Sequence, residues 1–160
     1  MSEAGLSVAP AAGTAGLAEV RRLFRAYAAW LPNDLCLQDF EAELAALPGD
    51  YAEPAGGLWL AQRGRDAVGV VALRPLEAEG AAEIKRLYVL PEARGRALGR
   101  RLLETCIEGA RTRGYAELCL ETMRGHMEAA ERLYLEAGFH DCPAYSGAPH
   151  PDLRYLSLKL

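Results

Sequence analysis

The chain has 160 residues, a formal net charge of −4 and a hydrophobic fraction of 51%. This length can bury the core of one domain, and the balance of apolar and charged residues is typical of a soluble globular protein. The negative charge argues against nucleic acid binding, which needs a basic face, and no apolar run is long enough to span a membrane. The N-terminus lacks a basic segment followed by an apolar core, so we expect no secretory signal and a cytoplasmic location.

The first part of the chain predicts a flexible start and two helices. Residues 1–16 are rich in Ala, Gly, Ser and Pro and predict a loose terminus with a short strand at 6–9, ahead of a single domain at 17–160. Apolar residues recur at helical spacing over 17–31 and again over 37–47. Prolines follow both segments and mark their ends.

Three strands follow as a meander. Residues 58–62 and 67–73 read as strands joined by a hairpin that begins at Gly64. A further strand is predicted at 83–90, where Pro91 stops it.

The second half alternates helices and strands. A helix with a continuous apolar stripe is predicted from Leu98 to Ala110, then a strand at 117–122 and a helix at 127–137. A strand should begin at Phe139, and alternating leucines predict a final strand at 153–160. The order of elements indicates an α/β (α+β) fold in one domain, with a mixed, mostly antiparallel sheet flanked by helices.

The loop at 94–99 has the chemistry of an anion site. Arg94, Arg96, Arg100 and Arg101 fall within eight residues, at the start of a helix whose first N–H groups are unpaired. Gly95 allows the backbone to approach a ligand closely. These features predict a diphosphate site, although arginines that merely solvate the start of the helix would give the same pattern.

Three blocks of the sequence resemble the GNAT acyltransferases. The family's loop usually reads Arg-Gly-x-Gly-x-Gly; Arg94, Gly95 and Gly99 match it, and Ala97 replaces the middle glycine. An alanine is tolerated at this position if its φ is right-handed. The strand EIKRLYV at 83–89 and the segment AERLYLEAGF, which ends at Phe139, resemble the family's central strand and later helix.

The resemblance implies a fold with splayed central strands that hold acyl-CoA between them. It places the pyrophosphate on backbone N–H groups from the loop, and it places the pantetheine arm on the strand before the loop, where Val89 N–H would polarise the thioester carbonyl. The strand residues would equally serve as core side chains, and the two roles are compatible. The implied cofactor-binding residues are Leu87, Tyr88, Val89, Arg94, Gly95, Arg96, Ala97, Leu98, Gly99 and Arg100.

Two catalytic roles are predicted. A protonated amine needs a base, and Glu83 on the central strand is the candidate; the alternative is a solvated or ion-paired strand carboxylate. By resemblance, Tyr134 would protonate the departing thiolate; the alternative is a core tyrosine. Met127 stands where the family usually has an Asn that bonds the cofactor.

The resemblance implies an N-acetyltransferase that moves acetyl from acetyl-CoA directly to a primary amine on a small molecule or peptide. A non-catalytic acyl-CoA-binding module, or a transferase with another donor or acceptor atom, would have the same motifs. Homodimers are common in the family, so a second copy is a candidate partner. Aromatic residues that are candidates to line the acceptor pocket are Tyr27, Trp30, Tyr51 and Tyr145.

The chain contains cysteines and histidines, but their spacing along the sequence does not match that of metal ligands. The cysteines are far apart and form no CxxC pair, and the histidines have no ligand spacing with them or with each other. We therefore expect no metal site. The residues concerned are Cys36, Cys106, Cys119, Cys142, His126, His140 and His150.

Overall fold

The computed structural model describes residues 5–31, 39–95, 97–125, 127–145 and 150–160. Within these ranges strands and helices form one α/β domain. In chain order the elements are β1 (Leu6–Pro10), α1 (Gly13–Trp30), α2 (Phe40–Ala46), β2 (Gly57–Arg63), β3 (Asp66–Pro75), β4 (Ala81–Val89), α3 (Leu98–Thr112), β5 (Glu117–Met123), α4 (Glu128–Ala137), β6 (His140–Asp141) and β7 (Leu153–Lys159). None of the described helices is both long and apolar enough to cross a membrane.

The sheet has seven strands in the order β1-β2-β3-β4-β5-β7-β6. Every neighbouring pair is antiparallel except β4 and β5, which are parallel. The prediction of a mixed, mostly antiparallel sheet flanked by helices is confirmed.

Helices cover both faces of the sheet. The apolar stripe of α3 packs on one face, where Leu102 and Cys106 are fully buried. On the other face α1 buries Val20, Leu23 and Phe24 together with residues of α2. The helical spacing of apolar residues predicted these contacts because it sets which side of each helix faces the core.

The short strand predicted at 6–9 is present as β1, which is one residue longer and pairs with β2 from Leu6↔Arg63 to Pro10↔Trp59. The helix α1 begins at Gly13, four residues earlier than predicted. The strand that pairs with β1 lies about fifty residues further along the chain, so local composition did not indicate this pairing.

Other boundaries shift by smaller amounts. The helix predicted at 37–47 is α2 over Phe40–Ala46, and residues 37–38 lie outside the described ranges. The strand expected from Phe139 is the short β6, while Phe139 itself is buried in the core beside α3.

The central strands separate after a short contact. The parallel pairing of β4 and β5 covers only Ala81↔Glu117, Ala82↔Leu118 and Glu83↔Cys119. Beyond this point β4 stays paired with β3, and β5 stays paired with β7. The sheet therefore forks, as the resemblance implied, and the two strand edges that face each other past Glu83 enclose an opening.

Candidate active site

A cleft of about 550 Å³ occupies the fork. Its walls come from α1, β4, β5, α4 and the start of α3. We call the part around residues 94–99 and the first turn of α3 the loop end, and the part where β4 and β5 separate the fork end. The predicted cofactor-binding residues that the structure brings together on its walls are Leu87, Tyr88, Val89, Arg94, Gly95, Ala97, Leu98, Gly99 and Arg100. The remaining predicted residue, Arg96, lies outside the described ranges.

The edge of β4 presents backbone groups to the cleft. Leu90 N–H donates to the Val68 carbonyl at 2.8 Å. Because successive residues of an antiparallel pair alternate in direction, the N–H and C=O of Val89 face the opposite edge, toward the opening. Tyr88 differs from the expectation, since its backbone faces Val70 of β3 and its side chain lines the cleft.

A β-bulge interrupts β4 directly before this edge. Val70 pairs with Tyr88 and Ala72 pairs with Lys85, which leaves Arg86 and Leu87 opposite a single residue of β3. Arg86 has a left-handed φ of 61°. A non-glycine residue in this conformation costs about 1–2 kcal/mol, so the surrounding contacts must stabilise it.

Buried contacts of Arg86 hold the bulge. Its guanidinium makes two hydrogen bonds of 3.1 Å to the Glu43 carboxylate. The same group lies over the rings of Phe24 and Phe40 at 5.9 and 5.2 Å. Nothing in the local sequence of β4 indicates this bulge, because the residues that stabilise it come from α1 and α2.

The first turn of α3 exposes donors at the loop end. Its first helical hydrogen bond runs from Arg101 N–H to the Ala97 carbonyl at 3.0 Å, so the N–H groups of Leu98, Gly99 and Arg100 have no acceptor within the described helix. The helix has no side-chain cap. These N–H groups and the positive end of the helix dipole form an environment that favours an anion.

Ala97 does not have the right-handed φ at which an alanine is tolerated without strain. Its φ is 59°, in the left-handed region. A left-handed φ costs a non-glycine residue about 1–2 kcal/mol. Among the described residues of the loop, Gly95 is also left-handed, with a φ of 85°.

Of the three arginines predicted to bind the cofactor at the loop end, the two that the structure describes, Arg94 and Arg100, have partners within the chain. Arg94 Nε donates to the Val89 carbonyl at 2.9 Å, and its guanidinium lies over the rings of Trp30 and Tyr88 at 5.3 and 5.5 Å. Arg100 forms a 2.5 Å ion pair with Glu136 of α4. The guanidinium of Arg94 therefore connects the end of β4 to the end of α1.

Tyr134 lies on the cleft wall, opposite the β4 edge. Only 6% of the residue is exposed, and its ring packs against Phe139 at 5.9 Å between centroids. Burial raises the pKa of the Tyr134 phenol well above its ordinary value of 10.0. The hydroxyl is protonated at neutral pH even at its ordinary pKa, and the raised pKa makes it a weaker acid toward a thiolate.

Glu83 is placed differently from the expectation for a base. It is 1% exposed and is absent from the described cleft wall. One carboxylate oxygen accepts a 2.7 Å hydrogen bond from Arg74 Nε, and the other accepts one from the Tyr145 hydroxyl. The catalytic role of Glu83 stays a prediction. The contacts that Glu83 makes in the structure are those of an ion-paired strand carboxylate, which was the alternative.

Glu121 is the carboxylate that lines the cleft at the fork end, and the sequence reasoning missed it. It lies on β5, two residues beyond the last residue paired with β4. Burial raises the pKa of the Glu121 carboxyl, and the nearby positive charge of Lys85 opposes that shift. The alternation of side chains along LCLETM places Glu121 on the same face of β5 as Cys119. Only the pairing of β4 with β5, which ends at Cys119, shows that Glu121 lies at the opening.

The aromatic residues proposed for an acceptor pocket divide into two groups. Tyr27 and Trp30 line the cleft, and Trp30 is 40% exposed. Tyr51 packs against Phe24 in the core, and Tyr145 bonds Glu83. Among the described residues, no group of three or more His, Cys, Asp or Glu side chains is arranged to hold a metal ion.

The order of these features along the chain matches one family model. The acetyltransferase (GNAT) family model matches residues 17–139. The chain belongs to the GNAT family of acetyltransferases. The match runs from α1 to Phe139 and so includes the loop end, the fork end and Tyr134.

Relatives and solved structures agree with this assignment. The chain is 31% identical over its full length to an uncharacterized N-acetyltransferase of Schizosaccharomyces pombe, of which the match covers 98%. A putative acyl-CoA N-acyltransferase from Klebsiella pneumoniae superposes with a TM-score of 0.75 at 29% identity, over 97% of both chains. A putative acetyltransferase from Salmonella typhimurium, solved with its cofactor acetyl-CoA, has the same fold at 20% identity, with a TM-score of 0.71 over 97% of this chain and 94% of that one.

Proposed function

We propose that this GNAT protein transfers the acetyl group of acetyl-CoA directly to a primary amine while both substrates are bound. The observation that carries the proposal is the convergence, in one cleft, of an open β4 edge, an uncapped start of α3, the Tyr134 phenol and the Glu121 carboxylate. The Salmonella neighbour, which holds acetyl-CoA in the same fold, supports the choice of donor.

The loop end is the proposed site for the pyrophosphate of the donor. The N–H groups of Leu98, Gly99 and Arg100 offer hydrogen bonds, and the Arg100 guanidinium adds charge. Arg100 can turn from Glu136 to a phosphate at little cost, because both members of that pair are about half exposed.

The β4 edge is the proposed site for the pantetheine arm and the thioester. The amide groups of the pantetheine arm would pair with β4 like a short extra strand, with Leu87 and Val89 as their partners. Val89 N–H faces the opening and is the proposed donor to the thioester oxygen, where negative charge develops as the amine attacks.

The acceptor amine must lose a proton before it can attack. An alkylamine with a pKa near 10.4 is neutral in only about one part in 10³ at pH 7, which costs roughly 4–5 kcal/mol. We propose Glu121 as the base, because its carboxylate lines the cleft and burial raises its pKa toward neutrality. Glu83 is the alternative base, and it is the weaker candidate because it is not among the described residues that line the cleft.

Collapse of the tetrahedral intermediate releases a thiolate. The C–N bond forms, the C–S bond breaks, the amine proton passes to Glu121 and the Tyr134 hydroxyl gives its proton to the sulfur. The second proton of the attacking nitrogen restores the Tyr134 phenol, and Glu121 releases its proton to solvent, so that one proton is released per turnover. No acyl-enzyme is needed in this sequence.

The test combines calorimetry with an acceptor screen. Acetyl-CoA and succinyl-CoA are titrated into the protein, and spermidine, phenethylamine, lysine and a tripeptide with a free N-terminus are tested for acetylation by mass spectrometry. We expect preferential binding of acetyl-CoA and acetylation of at least one amine. Donor binding with no acetylated product would identify a binding module, and tighter binding of succinyl-CoA would overturn the choice of donor.

A further inference from the structure

The segment 142–145 lies across the sheet face that α1 and α2 cover. Cys142 N–H donates to the Tyr155 carbonyl of β7 at 2.9 Å. The side chains of Cys142, Ala144 and Tyr145 pack against the apolar cluster that contains the cleft residue Tyr88. None of them is among the described residues that line the cleft, and Tyr145 connects the segment to Glu83.

One buried carboxylate joins this segment to the fork. Glu83 is the last residue of β4 that pairs with β5, so it marks the point where the strands separate. Its two oxygens accept hydrogen bonds from Arg74 on β3 and from the Tyr145 hydroxyl. Three parts of the chain that are distant in sequence thus meet at a side chain that is 1% exposed.

The position of Tyr145 also bears on Glu121. The Tyr145 ring packs nearly perpendicular to Tyr155, with 5.8 Å between centroids. Tyr155 is the register partner of Glu121 across β5 and β7. A shift of Tyr145 would therefore change the surroundings of the carboxylate that lines the cleft.

We propose that Glu83 and Tyr145 are a positioning pair, which fixes the segment 142–145 behind Glu121 and so sets the shape of the fork end of the cleft. The inference rests on the proposed function, because it assigns the fork end to the amine acceptor. Glu83 then acts through Tyr145 and does not touch the substrate. A buried carboxylate that loses one of its two donors is poorly satisfied, so the pair fixes the segment strongly.

The first test needs no acceptor. In a Cys36→Ser background, the rate of iodoacetamide alkylation at Cys142 is followed by peptide mass spectrometry in the parent, Tyr145→Phe and Glu83→Gln proteins. We expect Tyr145→Phe to raise this rate about tenfold, the size expected for loss of a hydrogen bond to a buried carboxylate. We expect the dissociation constant of acetyl-CoA to stay within about twofold, because the loop end is untouched.

Tyr115→Phe is the matched control. It also removes a tyrosine hydroxyl that bonds within the protein, here to the Ala55 carbonyl at 2.6 Å, at a site remote from Cys142. The control should leave Cys142 alkylation unchanged. An unchanged alkylation rate in Tyr145→Phe, with an unaltered melting temperature, would overturn the proposal.

The second test uses the amine from the screen that is acetylated fastest. Tyr145→Phe and Glu83→Gln should each raise the acceptor KM by about fivefold or more, with kcat within about twofold and the acid limb of the pH–rate profile retained. Loss of that limb in Glu83→Gln, with an unchanged acceptor KM, would make Glu83 the base and overturn the positioning role. If no amine is acetylated, the proposed function fails, while the alkylation test still decides whether the pair holds the segment.

Discussion

The loop end and the fork end of the cleft differ in how the chain builds them. The loop end uses consecutive residues: the edge of β4, the turn through Gly95 and Ala97, and the first turn of α3. The fork end depends on side chains from separate elements, with Glu83 on β4, Glu121 on β5 and Tyr145 after β6.

This difference separates donor chemistry from acceptor chemistry. Backbone groups at the loop end present the same donors whatever the local side chains, so the site suits a constant part of the donor. The fork end depends on individual side chains, and substitution of any one of them changes charge or shape. The predictions below test this division, from the largest expected effect to the smallest.

The largest effect is expected from Glu121→Gln. Removal of the base should lower kcat/KM for the amine by about 10²- to 10³-fold, the range typical of general bases. In the parent protein, activity should fall as the pH drops through the pKa of Glu121, which burial raises above the ordinary 4.5. The variant should lose this acid limb, and a retained limb would contradict the assignment.

Tyr134→Phe tests the proton donor. We expect kcat to fall by about 10- to 100-fold, because the thiolate must then leave unprotonated or take a proton from water. The dissociation constant of acetyl-CoA should be nearly unchanged, since the ring and its packing on Phe139 remain. An unchanged kcat across the pH range would make Tyr134 a core residue only.

Arg100→Ala tests the charge at the loop end. We expect the dissociation constant of acetyl-CoA to rise by about five- to tenfold, and the effect should shrink at high salt. Arg111→Ala is the matched control, because this exposed arginine lies near the other end of α3 and pairs with Glu108. Equal effects of the two substitutions would point to net charge rather than to a local site.

The smallest effect is expected from Ala97→Gly. Relief of the left-handed φ should outweigh the added freedom of the unfolded chain and raise the free energy of unfolding by about 0.5 kcal/mol. Urea denaturation measures this change. Ala18→Gly on the exposed side of α1 is the control and should lower stability by up to about 1 kcal/mol, so a loss of stability at both positions would refute the strain at Ala97.

The sequence predicted most of what consecutive residues build. The apolar stripe of α3 and the alternation in β7 are local patterns, and the elements appear where those patterns lie. The loop end was predicted for the same reason. The left-handed conformation of Ala97 was not predicted, because an alanine does not indicate a left-handed turn in the way a glycine does.

Features that depend on distant partners were harder to predict. A strand was predicted at the position of β1, but its pairing with β2 was not, and the bulge at Arg86 needs Glu43 from α2. The two glutamates Glu83 and Glu121 have equally strand-like surroundings in sequence. Only the register of β4 against β5 and the position of Tyr145 place one inside a hydrogen-bond network and the other on the cleft wall.

The most direct test of the central claim is amide hydrogen exchange with and without acetyl-CoA. The account predicts slower exchange at Val89 and at Leu98, Gly99 and Arg100, whose N–H groups face the cleft or lack a helical acceptor. Peptides from β1 and from the far end of α3 should exchange at unchanged rates. Unchanged exchange at Val89 and the first turn of α3, at saturating acetyl-CoA, would contradict the proposed donor site.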